Sequence, residues 1–325
     1  MKAKILKLLR ETDGFVSGQE LCNQFGVSRT AVWKVINQLK EQGYEIEAAQ
    51  NKGYHLSYAP DVITEAEIKS LRKTAWAGCE VFYYDSLDST NTKAKELAEE
   101  GYPSGTLVVA NQQTAGRGRR GRSWTSPPGT GIFMTLLLKP EINPNHASML
   151  TLVTALAVAQ AIREVTGEPA QIKWPNDIVM NGKKICGILT EMSAQFDYIN
   201  HIVIGIGINA HNESFPEEIA HMAGSLLTEC KRTFHRGDII EKTLEYFERY
   251  YESFLQTEDL ENLVKDYNAL LVNMHNSVKV LDPKEPFEGK AMGITKKGEL
   301  IVDTWESRKL VSSGEVSVRG IYGYV

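Results

Sequence analysis

The first sixty residues carry a helical hydrophobic period that changes to alternation. Residues 3–10 place charge inside an apolar run, which predicts an amphipathic helix. Ser17-Gly18-Gln19-Glu20 is a Ser-x-x-Glu capping box and opens a second helix through about Phe25. Gly26 suits the left-handed end of that helix. Ser28 can cap a third, in which Val32, Val35, Ile36 and Leu39 recur at helical spacing. Tyr44 to Leu56 then alternates as a strand pair turned at Asn51-Lys52-Gly53. Helix, tight turn, helix and wing together predict a winged helix-turn-helix over 1–60; the alternative is a small helical interaction cap.

After a short linker with Pro60, the pattern predicts a larger domain over 61–275. Helices are expected near 65–74, 90–100 and 147–165, and strands near 80–84, 107–111 and 132–138. Four more strands follow near 172–174, 178–180, 184–193 and 199–208. Asn181-Gly182 is a hairpin signal between two of them. Strands joined by tight turns cannot all be parallel, so the fold class is α+β with a mixed central sheet. Helices at about 237–255 and 260–271 precede short strands and Gly-rich turns over 276–325, which predict a small β-barrel.

The chain has 325 residues, 42% apolar and 24% charged, so a multidomain globular protein is expected and collagenous or wholly disordered readings are excluded. No stretch approaches the ~18 uninterrupted apolar residues of a membrane span, and the N-terminus lacks a signal-peptide cleavage pattern, so no membrane partner and a cytoplasmic location are expected. Cys22, Cys79, Cys186 and Cys230 are too scattered for a disulfide framework or zinc knuckle, and no metal-ligating residues are assigned. The net charge is −5, yet residues 1–60 carry two more basic than acidic side chains, so nucleic-acid binding must come from a local surface.

Gly116-Arg117-Gly118-Arg119-Arg120-Gly121 matches G-x-G-x-x-G after a strand. The following Arg122-Ser123-Trp124-Thr125-Ser126-Pro127-Pro128 cannot begin the helix that a dinucleotide fold requires. What remains is a Gly-rich loop with four mutually repelling arginines, which calls for a polyanionic ligand, with Trp124 as a docking surface for a nucleotide. Lys173-Trp174-Pro175-Asn176-Asp177 is a turn with an amide and a carboxylate that could hold a base, a phosphate-bound cation or nothing. Simple alternation puts Lys184 on one face with Cys186 and Ile188, where a lysine wants an anionic partner.

The set of Asp88-Ser89-Thr90-Asn91, Gln112-Gln113, the 116–124 run, 173–177, Lys184 with Gly187 to Leu189, and Gly205 to Asn209 resembles the bifunctional biotin protein ligase and biotin operon repressor family over the whole chain. The resemblance implies an SH3-like form for the barrel. It also implies a two-step reaction: biotin attacks the α-phosphate of ATP, with Mg²⁺, giving biotinyl-5′-AMP and pyrophosphate, and a lysine of biotin carboxyl carrier protein then attacks the mixed anhydride. Ser89, Thr90, Asn91, Gln113, Arg117, Gly118, Arg119, Lys184, Gly187, Leu189, Gly205 and Gly207 are implied at biotin. Arg119, Arg122, Trp124, Asn176 and Asn209 are implied at the adenylate. Lys184, Arg119 and Asp177 are implied in catalysis, Asp177 orienting the incoming lysine or a metal.

For operator DNA, Ser17, Ser28, Arg29, Thr30 and Lys34 lie at or near the helix starts where phosphates and base edges come within reach. The resemblance further implies a homodimer promoted by biotinyl-AMP as corepressor. Two competing readings are a purely regulatory sensor and a lipoate or octanoyl ligase.

Overall fold

The computed structural model describes residues 1–282, 285–314, 316–321 and 323–325. It divides into two compact units, Met1–Lys73 with His235–Glu241, and Thr74–Phe234 with Lys242–Val325.

In the first unit, α1 (Lys2–Glu11), α2 (Gly18–Phe25) and α3 (Arg29–Glu41) precede an antiparallel hairpin of β1 (Glu45–Ala49) and β2 (Gly53–Tyr58). Both serine caps form: Ser17 Oγ accepts from Glu20 N at 3.0 Å and Ser28 Oγ from Ala31 N at 3.2 Å. The helices bury one apolar stripe each, with Ile5, Leu6 and Leu9 meeting Leu21, Val32, Val35, Ile36 and Leu39. Helix-turn-helix and wing are therefore both present. A fourth helix, α4 (Glu65–Leu71), packs on α1. Its Glu67 is almost fully buried and accepts from Arg10 at 2.5 Å and from the Tyr44 hydroxyl at 2.6 Å. That ionic staple extends the first unit to Lys73, well past Pro60.

The second unit begins with β3 (Val81–Tyr84), α5 (Thr90–Glu99), β4 (Leu107–Ala110), β5 (Gly131–Leu138) and α6 (Met149–Thr166). Then come β6 (Gln171–Lys173), β7 (Asp177–Met180), β8 (Lys183–Ala194) and β9 (Ile199–Asn209). The seven strands lie in the order β3-β4-β5-β9-β8-β7-β6, with β3 and β4 parallel and the other pairs antiparallel. Tight turns such as Asn181-Gly182 dictate this, since they can only reverse a strand. Pro144–Thr166 is the one described helical stretch long and apolar enough to cross a membrane. Here α6 packs on β6, β7 and β8 and buries thirteen of its residues, which accounts for its composition.

Two short helices, α7 (Glu217–Ala220) and α8 (Leu226–Cys230), precede the long α9 (Arg236–Thr257) and α10 (Val264–Leu270). The C-terminal strands are β10 (Ser277–Leu281), β11 (Phe287–Ile294), β12 (Leu300–Asp303), β13 (Arg308–Val311) and β14 (Ser317–Gly320). They form an antiparallel sheet in the order β13-β12-β11-β10-β14. Among the described residues β13 and β14 share no ladder, so the expected barrel is observed as a five-stranded sheet without closure.

One sequence expectation fails at the residue that matters most. Val179 pairs with Lys184 while Ile178 pairs with Cys186, which leaves Ile185 as an extra residue on β8. This bulge breaks the alternation. Lys184 consequently lies over Gly187, whose built Cβ would stand 3.2 Å from Lys184 Nζ, rather than sharing a face with Cys186 and Ile188. Backbone bonds from Lys184 N to Met222 O and from Gly224 N to Lys184 O hold the bulged position.

Candidate active site and nucleic-acid interface

Two cavities adjoin on the central sheet of the second unit. The smaller, about 50 Å³, is lined by Ser89, Thr90, Asn91, Gln113, Arg117 and the β8–β9 glycines. Its wall is a hydrogen-bonded polar network. Gln113 Oε1 accepts from Thr90 N at 2.8 Å and Thr90 Oγ1 at 3.0 Å, and Gln113 Nε2 donates to Ser126 Oγ at 3.1 Å. Thr135 Oγ1 stands within hydrogen-bond distance of Thr90 Oγ1, 2.8 Å, and of Asn91 Oδ1, 2.7 Å. Asn91 Nδ2 donates to Glu191 Oε2 at 2.7 Å, so both ends of the amide are assigned. Burial raises the Glu191 carboxyl, but bonds from Lys95 and Asn91 outweigh it and hold the group below the usual carboxylate range. Ser89 starts α5 without using its side chain as a cap, which leaves the hydroxyl available.

Glycines shape this pocket by making room for side chains. Gly187 and Gly207 pair across β8 and β9, and Trp124 lies on both; a Cβ on Gly207 would meet its Nε1 at 2.7 Å. A Cβ on Gly205 would fall 2.2 Å from Asn91 Oδ1. Gly205→Ala is accordingly expected to displace Asn91 and to weaken binding of the biotin that the sequence resemblance implies here by at least about tenfold, the cost of one misplaced buried hydrogen-bonding group; calorimetric titration with biotin checks this.

The larger cavity, about 280 Å³, is lined by Arg119, Arg120, Arg122, Lys173, Asp177 and Asn209, with an apolar side that includes Phe215 and Ile219. The arginine loop is braced as a small hairpin by Gly118 N to Arg122 O at 2.7 Å and Trp124 N to Gly116 O at 2.9 Å. Arg119 is partly buried and donates to Asn176 Oδ1 at 2.8 Å, Ser313 O at 2.7 Å and Gly314 O at 2.6 Å. Burial lowers its pKa from the ordinary arginine value, against the attraction of Asp177. Asn176 and Asn209 also donate to backbone, at Ile188 O and Gly224 O respectively. The Trp124 indole N–H is buried with no hydrogen-bond partner among the described residues. A buried donor of this kind suits a polar ligand atom.

At the junction of the cavities Lys184 Nζ lies 2.5 Å from Asp177 Oδ1. Burial pushes Asp177 up, yet Lys184, Lys173 and the Tyr324 hydroxyl hold it below the usual carboxylate range. Lys173 is driven down to about 8, chiefly by burial, with Asp177 opposing and Lys184, Arg319 and Arg119 adding to the fall. Cations thus outnumber this carboxylate, and the surplus suits an anionic ligand. Sequence reasoning assigned no role to Lys173, Thr135, Glu191 or Tyr324. A lone threonine in the buried run Gly131–Leu138 was a usable signal for Thr135, and Lys173 opens the 173–177 motif and pairs with Asp177; the contacts of Glu191 and Tyr324 come from chain segments distant in sequence.

On the first unit, Arg29, Thr30 and Lys34 are exposed on α3, opposite its buried stripe. Arg29 donates to Gln19 Oε1 at 2.9 Å. The Ser17 and Ser28 hydroxyls serve as helix caps. Trp33, 59% exposed on the same face of α3, was not singled out from sequence. Its departure from the 32–35–36–39 stripe is the signal that marks it.

A model of the biotin/lipoate A/B protein ligase family matches residues 83–209, an HTH domain matches 2–55, and a biotin protein ligase C-terminal domain matches 277–319. The chain is 40% identical over 306 residues to the bifunctional ligase/repressor BirA of Bacillus subtilis, covering 94% of each chain. The chain belongs to the bifunctional biotin ligase/repressor family. The Escherichia coli family member is 29% identical, with 97% of this chain and 96% of that one covered. A biotin protein ligase from Aquifex aeolicus, solved with biotin and ATP, superposes with a TM-score of 0.66 at 31% identity, covering 74% of this chain and 99% of that one.

Proposed function

We propose that this chain is an ATP-dependent biotin–protein ligase that acts through biotinyl-5′-AMP and is also a DNA-binding repressor. The observation that carries this is the junction of the two cavities: Gly118, Arg119, Trp124, Asn176 and Lys184 line both. A carboxylate reaching out of the small polar pocket meets a phosphate held in the large basic one at that point. The Thr90, Asn91 and Gln113 network, with Ser89 and Arg117, receives the ureido ring. Gly187, Leu189, Gly205 and Gly207 form the pocket floor. Arg122, Trp124, Asn176 and Asn209 take the adenylate side.

In the first step the biotin carboxylate forms a bond to the α-phosphorus and pyrophosphate leaves. Attack of one anion on another is limited by charge, and Lys184, Arg119 and Lys173 offset it without reorganisation. Mg²⁺ enters as part of the ATP substrate. In the second step the neutral ε-amine of the carrier lysine attacks the acyl carbon, AMP leaves and the nitrogen's proton passes to solvent, with Arg119 neutralising the leaving phosphate. Asp177 acts on Lys184, its ion-pair partner, more directly than on an incoming amine or a metal.

A winged helix-turn-helix over 1–60 carried with α4 in the first compact unit, a ligase domain ending at about 275 and a C-terminal domain over 276–325 whose sheet closes as an SH3-like barrel, a cytoplasmic location, the carrier protein as acceptor and an adenylate-promoted homodimer on operator DNA complete the proposal. The exposed Arg29, Thr30 and Lys34 face supports the DNA contact, with Ser17 and Ser28 fixing the helix starts near the phosphates. The test is the mass of biotin carboxyl carrier protein after incubation with this chain and ATP. A gain equal to biotin less water is expected with biotin. A gain with lipoate instead, or none, contradicts the ligase reading.

A further inference from the structure

The last residues of the chain return to the ligase site. Val325 O occupies the place of a side chain at Gly320, where a Cβ would stand 2.0 Å from it. A Cβ on Gly182, in the β7–β8 turn, would lie 3.5 Å from Val325 Cγ2. The absence of a side chain at Gly320 therefore opens a seat for the backbone of Val325. From that seat the Tyr324 hydroxyl donates to Asp177 Oδ2, and Lys173 Nζ stands 4.2 Å from the centre of the tyrosine ring.

Asp177 is thus gripped at both oxygens, one by the Lys184 ammonium and one by a neutral donor. Burial and the neighbouring carboxylate push the Tyr324 phenol far up, so it stays protonated and donates to the carboxylate, which can only accept. A buried carboxylate free to turn can offer both oxygens to one ammonium. With Oδ2 engaged, only Oδ1 faces Lys184, in an ion contact, and the N–H groups of the lysine stay available to substrate. Tyr324 lines neither cavity, so its effect on the reaction passes through its neighbours, Asp177 and Lys173 in contact with it and the charges of Arg122 and Arg319 nearby.

We infer that Tyr324 is a positioning residue for biotinyl-adenylate synthesis: its hydroxyl fixes the plane of Asp177 and thereby sets Lys184 at the junction of the two cavities. This rests on the reading of Lys184 and Asp177 given above. Tyr324→Phe keeps the ring beside Lys173 and removes the hydroxyl alone. Biotin-dependent pyrophosphate release by the full chain is expected to lose about tenfold in kcat, the effect of one hydrogen bond to a charged group. KM for biotin and for ATP should stay within about twofold, as for an interaction felt mainly in the transition state.

A wild-type kcat overturns the inference, whatever happens to the unfolding temperature, and so does a rise in KM at unchanged kcat. Should Tyr324→Phe fail to fold, Gly320→Ala, which displaces the backbone of Val325 without touching Asp177, must give the same loss in kcat or the inference falls. Lys184→Ala measured in parallel separates the two levels. A large loss there beside an unaffected Tyr324→Phe removes only the tyrosine role, whereas wild-type rates in both remove the reading of the site.

Discussion

Lys184→Ala is expected to lower biotinyl-adenylate synthesis by about 10²- to 10³-fold, the usual cost of removing one preorganised group at a developing charge. Its position explains the size of the effect. Lys184 sits on a bulge 2.5 Å from Asp177, where the two cavities meet. Its side chain is a quarter exposed, so circular dichroism should match wild type, while the loss of the ion-pair partner of buried Asp177 lowers the unfolding midpoint. A pyrophosphate-release rate within about threefold of wild type would place the lysine outside the reacting centre.

Arg119→Gly is expected to release biotinyl-adenylate about 10- to 100-fold faster, the loss of charge-assisted hydrogen bonds to a phosphate. The structure adds a second reason. Arg119 ties the arginine loop to Asn176 and to the carbonyls of Ser313 and Gly314, so the substitution also unfastens the cover over the site. A chase of bound radiolabelled adenylate with unlabelled ligand measures the rate. Dissociation at the wild-type rate would remove Arg119 from the phosphate.

Much of this was legible in the residues, and the gaps have physical causes. The serine caps, Gly26, the helical stripe of α3 and the turn at Asn181-Gly182 are local devices, and each does in space what its spacing predicts. The rejection of a dinucleotide fold at Gly116–Gly121 also rested on local sequence, and the segment is a braced hairpin rather than a helix start. Lys184 was recognised as a lysine needing an anion, but its face was misassigned because a single bulged residue at Ile185 shifts the alternation. Glu191, Tyr324 and the Ser313 carbonyl were missed because each meets its partner only after strands distant in sequence are brought together. The glycines of β8 and β9 were expected at biotin; their shape is decided by Asn91 and Trp124, which require bare backbone beneath them.

The central claim is that one chain couples the chemistry of its ligase site to the DNA-binding face of α3. An adenylate that favours the DNA-competent state must raise operator affinity, by no more than its own preference for that state over the other. The most direct measurement is binding of the full chain, at one fixed salt concentration, to a duplex selected from a random pool by the wild-type protein, with and without biotin plus ATP. Tighter binding with both ligands, and slower loss of adenylate when the duplex is present, is the predicted result. Equal affinity in the two conditions would contradict the coupling and leave a ligase joined to an independent DNA-binding domain.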